Sequence, residues 1–354
     1  MSLRDTSRPP VYPVCMRPPR PPLGLVASAL VLLAACSSSA GPSIPPAAGS
    51  SAAGALPPGG AATCPTAPAP NPPDPDGWPA TGTAVKASVY PLIVSSEQIC
   101  GRNRLLFSFL DASNRPAAAP DRSATIAIYN LGRDPSTPTA TAPATFLWAI
   151  EGERGLYVAT VDFAEAGEWG AEFTTTLAGG TPEKIRIRFE VKPTGSPVPI
   201  GAKAPADRTP TAADVSGDLA RLSSDQHPEP SFYQLSIDQA IAEHRPFVLA
   251  FATPAFCTSG QCGPTLEILK QVARQEPGFT FINVEPYKLE DANGRLQPVL
   301  DANGQLQPVQ ATIDYGLVSE PWIFIVDADG KIAASFEAIV SPTELTAAIE
   351  ALKR

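Results

Sequence analysis

Two cysteines separated by four residues stand in the segment Phe256-Cys257-Thr258-Ser259-Gly260-Gln261-Cys262-Gly263-Pro264. Thiols this close can form a ring, open it again and hand the change to another thiol, which is disulfide exchange. The reactive species is the thiolate, and it forms most readily where a helix begins, because unpaired N–H groups and the macrodipole stabilise an anion. Pro264 suits the first turn of such a helix, and Leu266, Leu269, Val272 and Ala273 follow at helical spacing. The same residues also fit a permanent disulfide that only closes the loop, worth roughly a few kcal/mol.

The chain has six cysteines, and two of them, Cys15 and Cys36, fall in its first 36 residues. Cys64 and Cys100 remain as a second local pair, read as a structural disulfide, with two unpaired thiols as the competing reading. No metal site and no cofactor is expected. The two histidines, His227 and His244, do not stand where a third ligand would be needed, and two thiolates alone make a weak site. His244 reads instead as a cation at a helix C-terminus. Asp327 and Asp329 read as turn residues, and the sequence carries no Gly-rich phosphate loop, nucleophile elbow or metalloprotease helix motif.

The elements around Cys257 and Cys262 can be read outward from the pair. Ser236 and Gln239 form a capping box before a short helix that Pro246 ends, and residues 247–252 are a continuous apolar run suited to a strand buried on both faces. The helix behind Pro264 and a strand at 279–284 complete a parallel crossover unit. Residues 291–300 recur almost unchanged at 301–310, and such an Asn-Gly and Pro-rich copy is expected as an exposed loop. The chain closes with strands at 322–326 and 332–336 around an Asp329-Gly330 turn. A final helix follows, with Ser341 as N-cap, Pro342 at its first position and Glu344 completing a capping box.

Cysteines between a buried strand and a helix, Cys262-Gly263-Pro264, and Ser319-Glu320-Pro321-Trp322 ahead of a hairpin and terminal helix together resemble the thioredoxin superfamily, over residues 232–354. The resemblance implies an α/β thioredoxin-like fold, a cis peptide at Pro321 facing the cysteines, and thiol–disulfide exchange carried by Cys257, Cys262 and Pro321. The sequence departs from the family in three places. Its cysteines are four residues apart rather than two, so the closed ring is larger. Aligning Cys262-Gly263-Pro264 on the family motif puts Thr265 at the resolving position, whereas aligning Cys257 makes Cys262 the resolving thiol, and spacing does not choose between them. Ala250 stands where many relatives bury an acidic residue, which argues against fast reductase turnover.

Seven alternating segments, at 85–90, 105–110, 125–129, 146–150, 156–163, 169–175 and 185–191, predict an antiparallel β-sandwich of immunoglobulin-like type over residues 83–192. Its Gly155-Leu156-Tyr157-Val158-Ala159 run and the following Ala166-Gly167-Glu168-Trp169 look like the last hairpin of small exported sandwich domains. Some of those bind copper, but this region has neither histidine nor methionine. The fold class expected is therefore two domains, an all-β immunoglobulin-like sandwich followed by an α/β thioredoxin-like fold. Prolines, 42 in all, concentrate before residue 80 and between 192 and 230, so 36–80 reads as a flexible Pro/Ala/Gly tether and 193–231 as a linker.

Residues 1–35 read as an export signal, in which Arg17 and Arg20 precede an apolar run of 13 residues, too short to span a bilayer. The run ends in Leu33-Ala34-Ala35-Cys36, which resembles the lipobox of bacterial lipoproteins and implies lipidation at Cys36. The formal charge of −9 becomes about −12 without residues 1–35, with 22 basic and 34 acidic side chains left, which disfavours nucleic acid and anionic lipid as partners. The expected function is a membrane-anchored, extracytoplasmic thiol–disulfide oxidoreductase. Its partners would be the thiols or disulfides of exported proteins and a separate redox partner, with the lipid anchor holding it to the membrane. The alternative is a non-catalytic binding or scaffold lipoprotein with a structural disulfide in a thioredoxin fold.

Overall fold

A computed structural model describes residues 64–79, 87–292 and 294–353. The signal segment and Cys36 lie outside the described residues, as does most of the tether. Among the described residues no helix is long and apolar enough to cross a membrane.

The first half is a sandwich of two antiparallel sheets. Its strands are β1 Val89–Ile93, β2 Gly101–Asp111, β3 Arg122–Asn130, β4 Ala140–Pro143, β5 Thr145–Ile150, β6 Arg154–Phe163, β7 Gly167–Leu177 and β8 Glu183–Val191. One sheet has the order β1-β2-β6-β5 and the other β4-β3-β7-β8. Alternation along β2 sends Leu105, Phe107 and Phe109 into the space between the sheets. There Phe107 meets Phe173 edge-on with centroids 4.8 Å apart, the offset geometry aromatic quadrupoles prefer. Six of the seven expected segments fall on strands, whereas the one expected at 85–90 overlaps β1 only at Val89 and Tyr90, and residues 85 and 86 lie outside the described residues. The strand not anticipated, β4, is an edge whose side chains are mostly exposed, so it carries no apolar period.

The end of the stretch read as a tether is a strap instead. The Ala67 amide donates to Ala166 (2.8 Å) and the Ala166 amide to Pro65 (2.8 Å). Trp78 is buried, its indole N–H donating to Pro135 (2.8 Å) and its ring covered by the Arg186 guanidinium at 4.7 Å. Trp78 packs against Gly170, where a Cβ would sit 2.3 Å from the ring. One large aromatic side chain thus orders a segment whose composition otherwise lacks apolar surface.

The second half is built on a sheet of order β10-β9-β13-β14, with β9 Phe247–Phe251, β10 Thr280–Val284, β13 Trp322–Val326 and β14 Ile332–Glu337. β9 and β10 are parallel, and β13 runs antiparallel to both β9 and β14. All five residues of β9 are buried, because α2 (Cys262–Gln275) and α4 (Pro342–Leu352) cover one face. The other face packs against α1 (Ile237–Ala242), α3 (Gln310–Asp314) and the 198–204 segment. The duplicated sequence stays at the surface. Its first copy supplies the turn and second strand of a small hairpin, β11 Leu289–Asp291 with β12 Leu296–Pro298, and its second copy ends where α3 begins.

Residues 193–231, expected as a linker, are packed. The Gly201 amide donates to Ile332 (2.8 Å) and the Ala204 amide to Gly330 (2.9 Å), and Ala212, Leu219 and Leu222 join the core beneath α2. The outer face of the sandwich is also occupied. Arg104 reaches Glu344 with two hydrogen bonds of 2.7 and 3.1 Å, and Ala149 and Leu156 pack against Ile339. β2 is therefore buried on both faces, with Leu106 as fully enclosed as Leu105.

Candidate functional site

β9 delivers the cysteine loop from the middle of its sheet. The chain turns at Thr253, where the Phe256 amide returns to the Thr253 carbonyl (3.1 Å), and turns again as the Gly260 amide donates to Cys257 (3.2 Å). Gly260 has φ +73°, a conformation that glycine adopts without strain. Gln261 is the N-cap of α2 and Cys262 its first residue, so the helix opens on the second cysteine, ahead of Pro264.

Cys257 and Cys262 are disulfide-bonded, with Cα atoms 6.0 Å apart. The two cysteines differ in exposure. Cys262 is fully buried, whereas Cys257 is half-buried. Cys257 Sγ accepts the Cys262 backbone N–H (3.3 Å) and lies 3.3 Å from the Ser259 hydroxyl. The first turn of α2 therefore points a donor at Cys257, where it would favour the thiolate. Thr265 is buried and donates its hydroxyl to Ala338 (3.0 Å).

The segment before β13 faces this loop. The Glu320–Pro321 peptide is cis, Pro321 is buried, and Ser259 donates its hydroxyl to the Glu320 carbonyl (3.4 Å). Glu320 in turn accepts the Tyr287 hydroxyl at 2.5 Å. Burial, reinforced by that carboxylate, pushes the Tyr287 phenol well above its ordinary range. The Glu320–Pro321 segment, distant in sequence, is thus brought to the Cys257–Cys262 loop through Ser259.

Cys64 and Cys100 are bonded as well, with Cα atoms 6.1 Å apart, and they tie the strap to the start of β2. His227 sits before the helical part of the second half with its carbonyl accepting Lys270 (2.8 Å). His244 lies just past α1, its Nδ1 3.1 Å from the Ala328 carbonyl. Among the described residues no group of three or more His, Cys, Asp or Glu side chains could hold a metal ion.

Three features near the loop have no signal in the sequence. Arg154 donates to the Ser259 carbonyl (2.7 Å), and the Ile150 side chain lies against Gly260. Ser96 donates its amide to the Glu337 carboxylate (3.0 Å to each oxygen) and its hydroxyl to Ser319 (3.1 Å), beside Pro321. Glu285, buried where β10 ends, accepts the Ser224 amide (2.6 Å) next to Thr253.

No protein-family description and no curated protein matches the chain. Solved structures that resemble part of it include a DUF4426 family protein from Pseudomonas aeruginosa, at 11% identity, covering 30% of this chain and 90% of that one with a TM-score of 0.22. CopC from Methylosinus trichosporium follows at 14% identity, covering 27% and 83% with a TM-score of 0.20. The Lin-41 filamin domain is 12% identical and covers 30% and 94% with a TM-score of 0.19. Likeness at this level transfers no ligand and no activity.

Proposed function

We propose that the chain is a membrane-anchored, extracytoplasmic thiol–disulfide oxidoreductase whose second half is thioredoxin-like. The observation that carries this reading is the half-buried Cys257, whose sulfur faces the Cys262 amide at the start of α2. Of the two alignments open at the sequence level, this favours Cys257 as the attacking thiol and Cys262, shielded behind it, as the resolving one.

In the reduced pair, the Cys257 thiolate attacks one sulfur of a substrate disulfide. The substrate S–S bond breaks, a mixed disulfide forms, and the departing sulfur leaves as a thiolate that takes a proton. Cys262 then loses its proton, attacks the Cys257 sulfur and releases the second substrate thiol. The pair ends oxidised and the substrate carries two thiols. A dithiol redox partner restores the starting state, and the reverse sequence oxidises exported thiols. Cys36 would supply the acyl anchor.

The competing role, a staple in a non-catalytic scaffold, draws on one observation: Cys262 is wholly enclosed and the sandwich rests on the ring. A glutathione redox series on the mature protein separates the two. Opening of Cys257–Cys262 at potentials above about −300 mV is expected for exchange, and resistance down to that value would leave only the staple. With Cys262→Ser, a mixed disulfide through Cys257 should accumulate with oxidised substrates. Cys257→Ser should accumulate none, and trapping through Cys262 instead would reverse the assignment.

A further inference from the structure

The sandwich touches the second half at several places, and one of them lies inside the ring that the Cys257–Cys262 bond closes. Residues 258–261 make that ring, and two of its members are held from outside. The Arg154 guanidinium, at the start of β6, donates to the Ser259 carbonyl (2.7 Å). Ile150, at the end of β5, packs on Gly260 so closely that an added Cβ would stand 3.3 Å from its Cδ1. Other anchors, among them Arg104 on Glu344, Ser96 on Glu337 and Leu156 with Ala149 on Ile339, dock the sandwich without touching the ring. The fold therefore does not need Arg154 to keep its two halves together.

A contact made on the ring when the sulfurs are bonded, and loosened when they part, shifts the bonded-to-reduced equilibrium by the same factor as it gains from closure. Ser259 is tied into that closed arrangement, since its hydroxyl stands 3.3 Å from Cys257 Sγ, accepts the Gln261 amide (3.3 Å) and donates to Glu320. We propose that Arg154, with Ile150, is a positioning residue for the cysteine pair: by holding the Ser259–Gly260 turn in its closed form, the sandwich stabilises the disulfide against reduction. This rests on the exchange chemistry proposed above, in which a dithiol reductant supplies two electrons and two protons, its own sulfurs ending in a disulfide. A guanidinium could also act by attracting a Cys257 thiolate, which would favour the reduced form. Arg154 is exposed, so water screens that attraction, while the hydrogen bond acts on the ring directly.

The test is a dithiothreitol equilibrium series on the full mature protein. Alkylated peptides are resolved by mass, so that Cys257–Cys262 is followed separately from Cys64–Cys100. Arg154→Ala should ease reduction about threefold, and Ile150→Ala with Arg154→Ala about tenfold, equivalent to about 30 mV for a two-electron couple. Arg104→Ala, which breaks a contact away from the ring, should leave the equilibrium within twofold of the parent. Melting of the oxidised proteins checks that each variant folds, and Ile150→Ala alone serves if Arg154→Ala does not. An unchanged constant, a shift toward harder reduction, or an equal shift from Arg104→Ala overturns the proposal. A parent pair that glutathione does not open ends the exchange reading alone, because the Arg154 shift is still read in dithiothreitol.

Discussion

At the end of β10 the Glu285 carboxyl is buried beside Thr253, with the Ser224 amide on one oxygen and no partner on the other. Burial pushes it up to about 7, more than the Thr253 and Ser224 hydrogen bonds pull it down. An unfolded chain ionises this group near 4.5, so the folded form loses stability as pH rises from there to about 7, by about 3 kcal/mol in all. Asp207 leans the same way, pushed up to about 6 by burial and by Asp314 beside it. Urea midpoints at pH 5 and pH 8 should thus differ more in the parent than in Glu285→Gln, and equal differences would show that Glu285 ionises without penalty. Nothing about Asn283-Val284-Glu285-Pro286 announces this burial, since a carboxyl on a strand end reads as solvated. The cysteines were legible for the opposite reason: their type, spacing and position after an apolar run admit few other uses.

Elements whose ends carry their own chemistry were readable to the residue. α4 begins at the predicted cap, with Ser341 Oγ accepting the Glu344 amide (3.2 Å) and Glu344 returning to the Ser341 amide (3.0 Å). Ser341→Ala should cost about 1 kcal/mol in a denaturant melt. Glu344→Ala should cost about 2 kcal/mol or more, because it also strands the part-buried Arg104. Burial would raise the Glu344 carboxyl, but Arg104 and the Ser341 amide outweigh it and hold it below its ordinary range. That contribution is present above the ordinary carboxylate range and is lost as pH falls through the lowered value. A smaller loss for Glu344→Ala than for Ser341→Ala would mean that the ion pair contributes nothing. Elements defined by long-range contacts were not readable. β4 pairs at an exposed edge, and Leu296–Pro298 form β12 whereas the identical residues 306–308 of the second copy belong to no strand, so identical residues take different structures according to their neighbours.

At the scale of the whole molecule, the strap packs on the sandwich and the former linker on both halves, Ser196 on Glu97 and Val198 on Tyr315, more closely than their proline content suggested. Prolines remove amide donors but leave carbonyls and ring surfaces, and Pro65 and Pro135 each accept a hydrogen bond here. The Cys64–Cys100 bond closes a loop with a separation of 36 residues, for which chain entropy gives about 4 kcal/mol. Replacing both cysteines by serine should lower stability by up to that amount and speed hydrogen exchange at the Ala67 and Ala166 amides first. Unaltered protection there would mean that Trp78 alone secures the strap. The enclosed outer face of β2 also bears on how the chain can be dissected. A fragment ending at Val191 would present Leu106, Leu147 and Leu156 to water as one oily patch, and it should self-associate or precipitate where the intact protein stays monodisperse.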